Sequence, residues 1–91
     1  MSSNEMIIIE EAVKHGLISE TEGELALIYH TDIGLHTPSY WADHYHKMPK
    51  KGETGIKTKL WKRIDNTNDK PRYRLVTSYL LTHNQVEDIE E

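Results

Sequence analysis

A chain of 91 residues with no cysteine and a formal net charge of −4 has room for one domain, and disulfide and thiolate chemistry are excluded. Its apolar runs, such as residues 6–9 and 25–29, are too short for a signal-peptide core or a membrane span, and the absence of thiols fits a reducing compartment, so the reading is cytoplasmic. So small a chain offers little concave surface, which weighs against an enzyme.

Ser2, with Glu5 three places on, forms a capping-box pattern ahead of MIIIEEAVKHG, predicting a first helix with Met6, Ile9, Ala12 and Val13 on one face. The isoleucine run favours extended backbone, so a strand over residues 6–9 competes with that helix. Gly16 is a left-handed stop, with Leu17 as its hydrophobic partner. SETEGE holds two overlapping boxes, Ser19 with Glu22 and Thr21 with Glu24. The helix they open presents Leu25, Ile28, Tyr29 and Ile33 on one side and is expected to end at Gly34. Thr37-Pro38 is a capping hydroxyl followed by proline at the first helical position, a start signal for a third helix in TPSYWADHYHKMP. There Trp41, His44, Tyr45 and Met48 share one face, Ser39, Asp43, His46 and Lys47 the other, and Pro49 closes the element.

The apolar period then changes from 3.6 to 2. GIKTKLWKRI places Ile56, Thr58, Leu60 and Ile64 on one side of a strand and Lys57, Lys59, Trp61 and Arg63 on the other. DNTNDKP reads as a turn, with residues 65–71 as a mobile hairpin tip. RYRLVTSYLL returns with Tyr73, Leu75, Thr77 and Tyr79 alternating and Arg72 and Arg74 on the reverse face. Ten of the eleven lysines and arginines lie between Lys47 and Arg74 against three acids, whereas residues 1–46 carry one lysine against eight acids. A cationic hairpin between anionic flanks points to a polyanion, nucleic acid being the commonest. The acidic end, residues 84–91, reads as a flexible tail outside a single domain of residues 1–83.

The expected fold class is thus α+β: three short helices followed by a two-stranded antiparallel hairpin. This order, with DIGLHTPSYWADHY as the joint between the second and third helices, resembles the winged helix-turn-helix superfamily of DNA-binding domains. The resemblance implies a third helix in the major groove and a hairpin wing along the backbone. On that reading Ser39, Asp43, His46 and Lys47 read bases, while Lys57, Lys59, Trp61, Arg63, Lys70, Arg72 and Arg74 contact the DNA backbone. The function it implies is a small duplex-DNA-binding regulator, working as a homodimer because one module makes few contacts. A competing class is a phage- or plasmid-type accessory protein that modulates a host protein, by docking or by acidic mimicry of nucleic acid; RNA binding comes third.

Trp61 alternates with lysines and reads either as a stacking platform or as core; Tyr73 alternates with Leu75 and reads as core. Six histidines invite a metal reading, but on a helix His44 and His46 point about 200° apart, so neither a metal site nor a cofactor is expected. No phosphate loop, nucleophile elbow or nucleophile with a base partner is present, and no catalytic residue is assigned.

Overall fold

Secondary structure runs α1 (Ser3–Lys14), α2 (Glu20–Tyr29), β1 (Leu35–His36), α3 (Pro38–Tyr45), β2 (Lys47–Pro49), β3 (Ile56–Arg63), β4 (Tyr73–Thr82), a 3-10 turn (His83–Gln85) and β5 (Val86–Asp88) in the computed structural model, which describes residues 3–64 and 70–90. The class is α+β with antiparallel sheets: one of three strands in the order β1-β4-β3, and one of two, β2-β5. The expected order of helices followed by a hairpin is corrected, because β1 separates α2 from α3 and β2 and β5 add a second sheet. Strands of two or three residues carry no readable period-2 pattern; they form here because the edges of β4 and β2 offer backbone groups that need partners.

The isoleucine run is helical. Ile9 and Ala12 of α1 are buried, and Ile7 and Ile8 pack around the same core, so tertiary contact overrides the β preference of isoleucine. The helix closes as the sequence predicts: Leu17 N–H donates to Ala12 O at 2.8 Å, Gly16 N–H donates to Val13 O at 3.0 Å, and Gly16 takes φ +71.

In α2 the Ser19–Glu22 capping box forms at both ends, at 3.0 and 3.1 Å. The buried residues of this helix are Gly23 and Ala26, however, and Leu25, Ile28 and Tyr29 face solvent. The reason is close approach. A Cβ on Gly23 would lie 3.0 Å from a Val13 methyl and 3.2 Å from an Ile9 methyl, so α2 turns its smallest residues to α1. It ends at Tyr29 rather than Gly34: His30 adopts the left-handed φ of 53° and Thr31 N–H reaches Ala26 O at 3.1 Å. Thr37 caps α3 as expected, its hydroxyl accepting from Tyr40 N–H at 3.3 Å.

Two cores lie on opposite faces of β4, because consecutive strand residues point to opposite sides. Leu80 joins Ala12, Leu35 and Leu60 beneath α1, and Leu81 joins Trp41 and Val86. The Trp41 indole N–H donates to Leu81 O at 2.9 Å inside that second core. Val86–Asp88, within the stretch expected to be a tail, therefore pairs with β2 and contributes a buried side chain. The expected hairpin tip at residues 65–71 lies for the most part outside the described residues. No helix among the described residues is long and apolar enough to cross a membrane.

Candidate nucleic-acid interface

Strands β3 and β4 pair over eight positions, from Ile56↔Leu80 to Arg63↔Tyr73, and the Ile64 N–H to Arg72 O bond at 2.9 Å extends the ladder. That bond sets the alternation. Even-numbered β3 residues are hydrogen-bonded to β4; Lys57/Tyr79, Lys59/Thr77, Trp61/Leu75 and Arg63/Tyr73 are non-hydrogen-bonded pairs, whose side chains stand closest, with Cα atoms about 4.5 Å apart. All eight share one face. The other face carries Ile56/Leu80, Thr58/Ser78 and Leu60/Val76 toward the core and then Lys62/Arg74 beyond it.

The register corrects half of the sequence reading. Lys57, Lys59, Trp61 and Arg63 do share a face, but Tyr73, Leu75, Thr77 and Tyr79 join them there instead of packing inward. Tyr73 is 56% exposed, Leu75 45%, Trp61 43% and Tyr79 36%. Arg72 and Arg74 have the opposite parity and lie with Lys62, a base that sequence reasoning left out of the site. Both phases of RYRLVTSYLL are apolar enough to be core. The phase is decided by Leu80, fully buried on the α1 side, which carries Val76 and Ser78 with it.

The result is an open sheet face on which three aromatic rings and a leucine alternate with Lys57, Lys59 and Arg63. Its long dimension, from Tyr73 to Tyr79, is about 20 Å at the rise of an antiparallel strand. Among the described residues Lys57, Lys59, Lys62 and Arg74 have no ion pair, so their charge is available to solvent and ligand. The Trp61 peptide is held from the strand's outer edge by Asn4 of α1, which donates to Trp61 O at 3.0 Å and accepts from Trp61 N–H at 2.7 Å. This amide clamp satisfies an edge position that would otherwise invite another strand, and it fixes the backbone from which the indole projects. Ser3, Asn4, Trp61 and Tyr73 line one shallow cleft there.

The residues expected to read bases are dispersed. Ser39, near the N-terminus of α3, lines one groove with Thr37, Pro38, Trp61, Lys62 and Thr77 and so adjoins the ribbon. Asp43 is exposed farther along α3. His46 is its left-handed cap, with φ 54. Lys47 belongs to β2, where its ammonium donates to Asp88 at 2.7 Å and holds that carboxyl below the ordinary range.

A second cluster, not anticipated as such, ties the loop before β1 to α3. Asp32 accepts from Gly34 N–H at 2.7 Å and from the Tyr45 hydroxyl at 2.8 Å, and pairs with His36 Nε2 at 2.8 Å. Partial burial opposes the Asp32 charge, but these bonds and the His36 charge together hold its pKa below the ordinary value; the same contact raises that of Tyr45. His36 stacks on Tyr40 at 4.0 Å, and Tyr40 on His44 at 3.9 Å. The readable signals were the Asp32–His36 spacing of four and the ring-rich third helix. Beside it a cleft of about 430 Å³ is lined by Ile8, Ile9, Leu35, Glu5 and His30 among others, with Glu5 already paired to His30 at 3.2 Å.

No family model matches this chain, and neither a curated protein nor a solved structure matches it.

Proposed function

We propose that the chain binds nucleic acid through the outer face of the β3–β4 ribbon and that it takes a strand with unpaired bases. The observation that carries this reading is the register, which puts Trp61, Tyr73 and Tyr79 on one exposed face with Lys57, Lys59 and Arg63 between and beside them. Rings of this kind stack on bases of any sequence, each for about 1–3 kcal/mol, while the interleaved bases neutralise phosphates. The acidic helices repel the same ligand and turn the ribbon toward it.

Duplex DNA, approached as a winged helix would, is the second reading. It is favoured by the groove that Thr37–Ser39 share with Lys62 and Trp61, which sets a helix N-terminus next to the ribbon. The test is binding of a labelled single strand and of its duplex across a range of salt. Three phosphate contacts on a single strand give a slope of log K against log salt of about −2. Reversal of Lys57 and Lys59 to glutamate abolishes binding and removes most of that slope. Tighter binding of the duplex selects the second reading, and unchanged affinity of the folded reversal variant rules out the ribbon face.

A further inference from the structure

Helix α2 is apolar on both sides. Its inner side is spent on α1, yet Leu25, Ile28 and Tyr29 stand outward, Ile28 65% and Tyr29 72% exposed. At about 100° per residue, Thr21, Leu25 and Ile28 form a stripe opposite Gly23, flanked by Glu24 on one side and Glu22 on the other. On the Glu24 side the stripe borders a groove of about 340 Å³ between α1 and α2, with Ile9, Val13 and Leu27 in its lining together with Glu10, Glu20 and Glu24 and a single base, Lys14. Exposed apolar side chains gathered in one stripe mark a contact surface, and an acidic rim around it calls for an apolar partner that carries bases.

The same chain holds one. We infer that the outer face of the β3–β4 ribbon of a second copy docks on the α2 stripe, head to tail. The ribbon offers Trp61, Leu75, Tyr73 and Tyr79 as the apolar partner, and Lys57, Lys59 and Arg63 as counter-charges to Glu20, Glu22 and Glu24. The lengths match: α2, ten residues, is about 15 Å long, against about 20 Å for the ribbon row. A symmetric α2–α2 contact is disfavoured because it would set Glu22 and Glu24 against their own copies. Contact faces this short bury only a few hundred Å² on each partner, well under the roughly 800 Å² of a stable complex, so the association is weak. The contact is also heterologous, so it leaves an unused stripe and an unused ribbon at the ends and extends to longer chains with rising concentration. Self-association stands independently of the nucleic-acid reading; one corollary rests on that reading, namely that a bound strand and a second copy exclude each other from the ribbon.

Sedimentation velocity of the full chain tests this. The wild type is expected to associate increasingly up to about 1 mM in low salt, where screening is weakest, and to dissociate in about 0.5 M salt. Glu20→Lys/Glu24→Lys and Lys57→Glu/Lys59→Glu, all at exposed positions, are each expected to lose association by at least tenfold. Mixed together in equal amounts, they restore it, because the unchanged ribbon of the first docks on the unchanged stripe of the second and the two reversed surfaces complement each other as well. A wild type that stays monomeric at every concentration overturns the proposal, as does self-association that survives Lys57→Glu/Lys59→Glu, which would be α2 on α2, or a mixture that does not pair. Addition of oligothymidylate separates the two readings. Self-association that passes every arm above but is not displaced by the oligonucleotide supports the docking and counts against the strand-binding reading alone.

Discussion

The β3–β4 register depends on how the chain enters β3, and Gly55 is where that can be perturbed. Gly55 has φ +88, and a Cβ placed on it would run directly onto the Leu80 carbonyl oxygen and within 3.0 Å of Leu81 Cγ. Gly52 has nearly the same backbone, φ +87, but a Cβ there meets nothing within 4 Å. Substituting alanine at each therefore separates backbone strain from steric conflict. Strain from a positive φ costs about 1–2 kcal/mol at either site, offset by about 0.4–1 kcal/mol from the stiffer unfolded chain. At Gly55 the conflict with β4 backbone adds about 1–3 kcal/mol, because neither Leu80 nor its neighbour can move without shifting both cores. Gly55→Ala should then be about 2 kcal/mol less stable than Gly52→Ala, out of the roughly 5–13 kcal/mol available to a domain of this size. With a urea slope of about 1 kcal/mol per molar, the two midpoints separate by about 2 M. Midpoints within about 0.5 M of each other would show that β3 does not enter against Leu80 as described.

The Asn4 clamp should contribute about 1–2 kcal/mol through its two hydrogen bonds; Asn4→Ala is expected to speed amide exchange at Trp61 by about tenfold, and unchanged exchange would mean that the clamp is not made. Asp32 titrates below its ordinary value in the folded chain, so its contribution is present above the ordinary aspartate range and is lost as pH falls through the depressed folded value. Stability of the wild type, followed by urea midpoints, should thus drop more steeply below about pH 4 than that of Asp32→Asn. Parallel profiles would remove Asp32 from the account.

The starts of α2 and α3 were legible because capping is chemistry confined to four residues: Ser19 with Glu22, and Thr37 with Pro38, mark those entries where the structure has them, whereas the Ser2–Glu5 box expected for α1 includes a residue outside the described ones. The stop at Gly16 was legible for the same reason. The stops at His30 and His46 were not, since a left-handed histidine is held by tertiary contacts and the visible alternatives were Gly34 for α2 and Pro49 for α3. Helix faces failed where both sides are apolar. In α2 the packing surface was chosen by the small size of Gly23 and Ala26, which a search for large apolar residues passes over. The strand face failed similarly in β4, where Leu80 and Leu81 belong to different cores and the odd and even residues are both apolar. The charge segregation, by contrast, is a property of composition alone; it drew attention to Lys57, Lys59 and Arg63 without a fold, while Tyr73, Leu75 and Tyr79 joined them only through the register.

The two tryptophans allow the central claim to be tested at one residue. Trp41 is 3% exposed in the second core and Trp61 is 43% exposed on the ribbon, so only Trp61 can stack on a base. Titration with oligothymidylate, with tryptophan emission and the anisotropy of a label on the oligonucleotide followed together, should quench Trp61 in step with binding. In Trp61→Phe the quench should disappear while Trp41 still emits, and in Trp61→Ala affinity should fall by about tenfold, toward the lower end of what one stacked base is worth. Anisotropy that saturates with no quench in the wild type, or an equal quench in Trp61→Phe, would contradict the account.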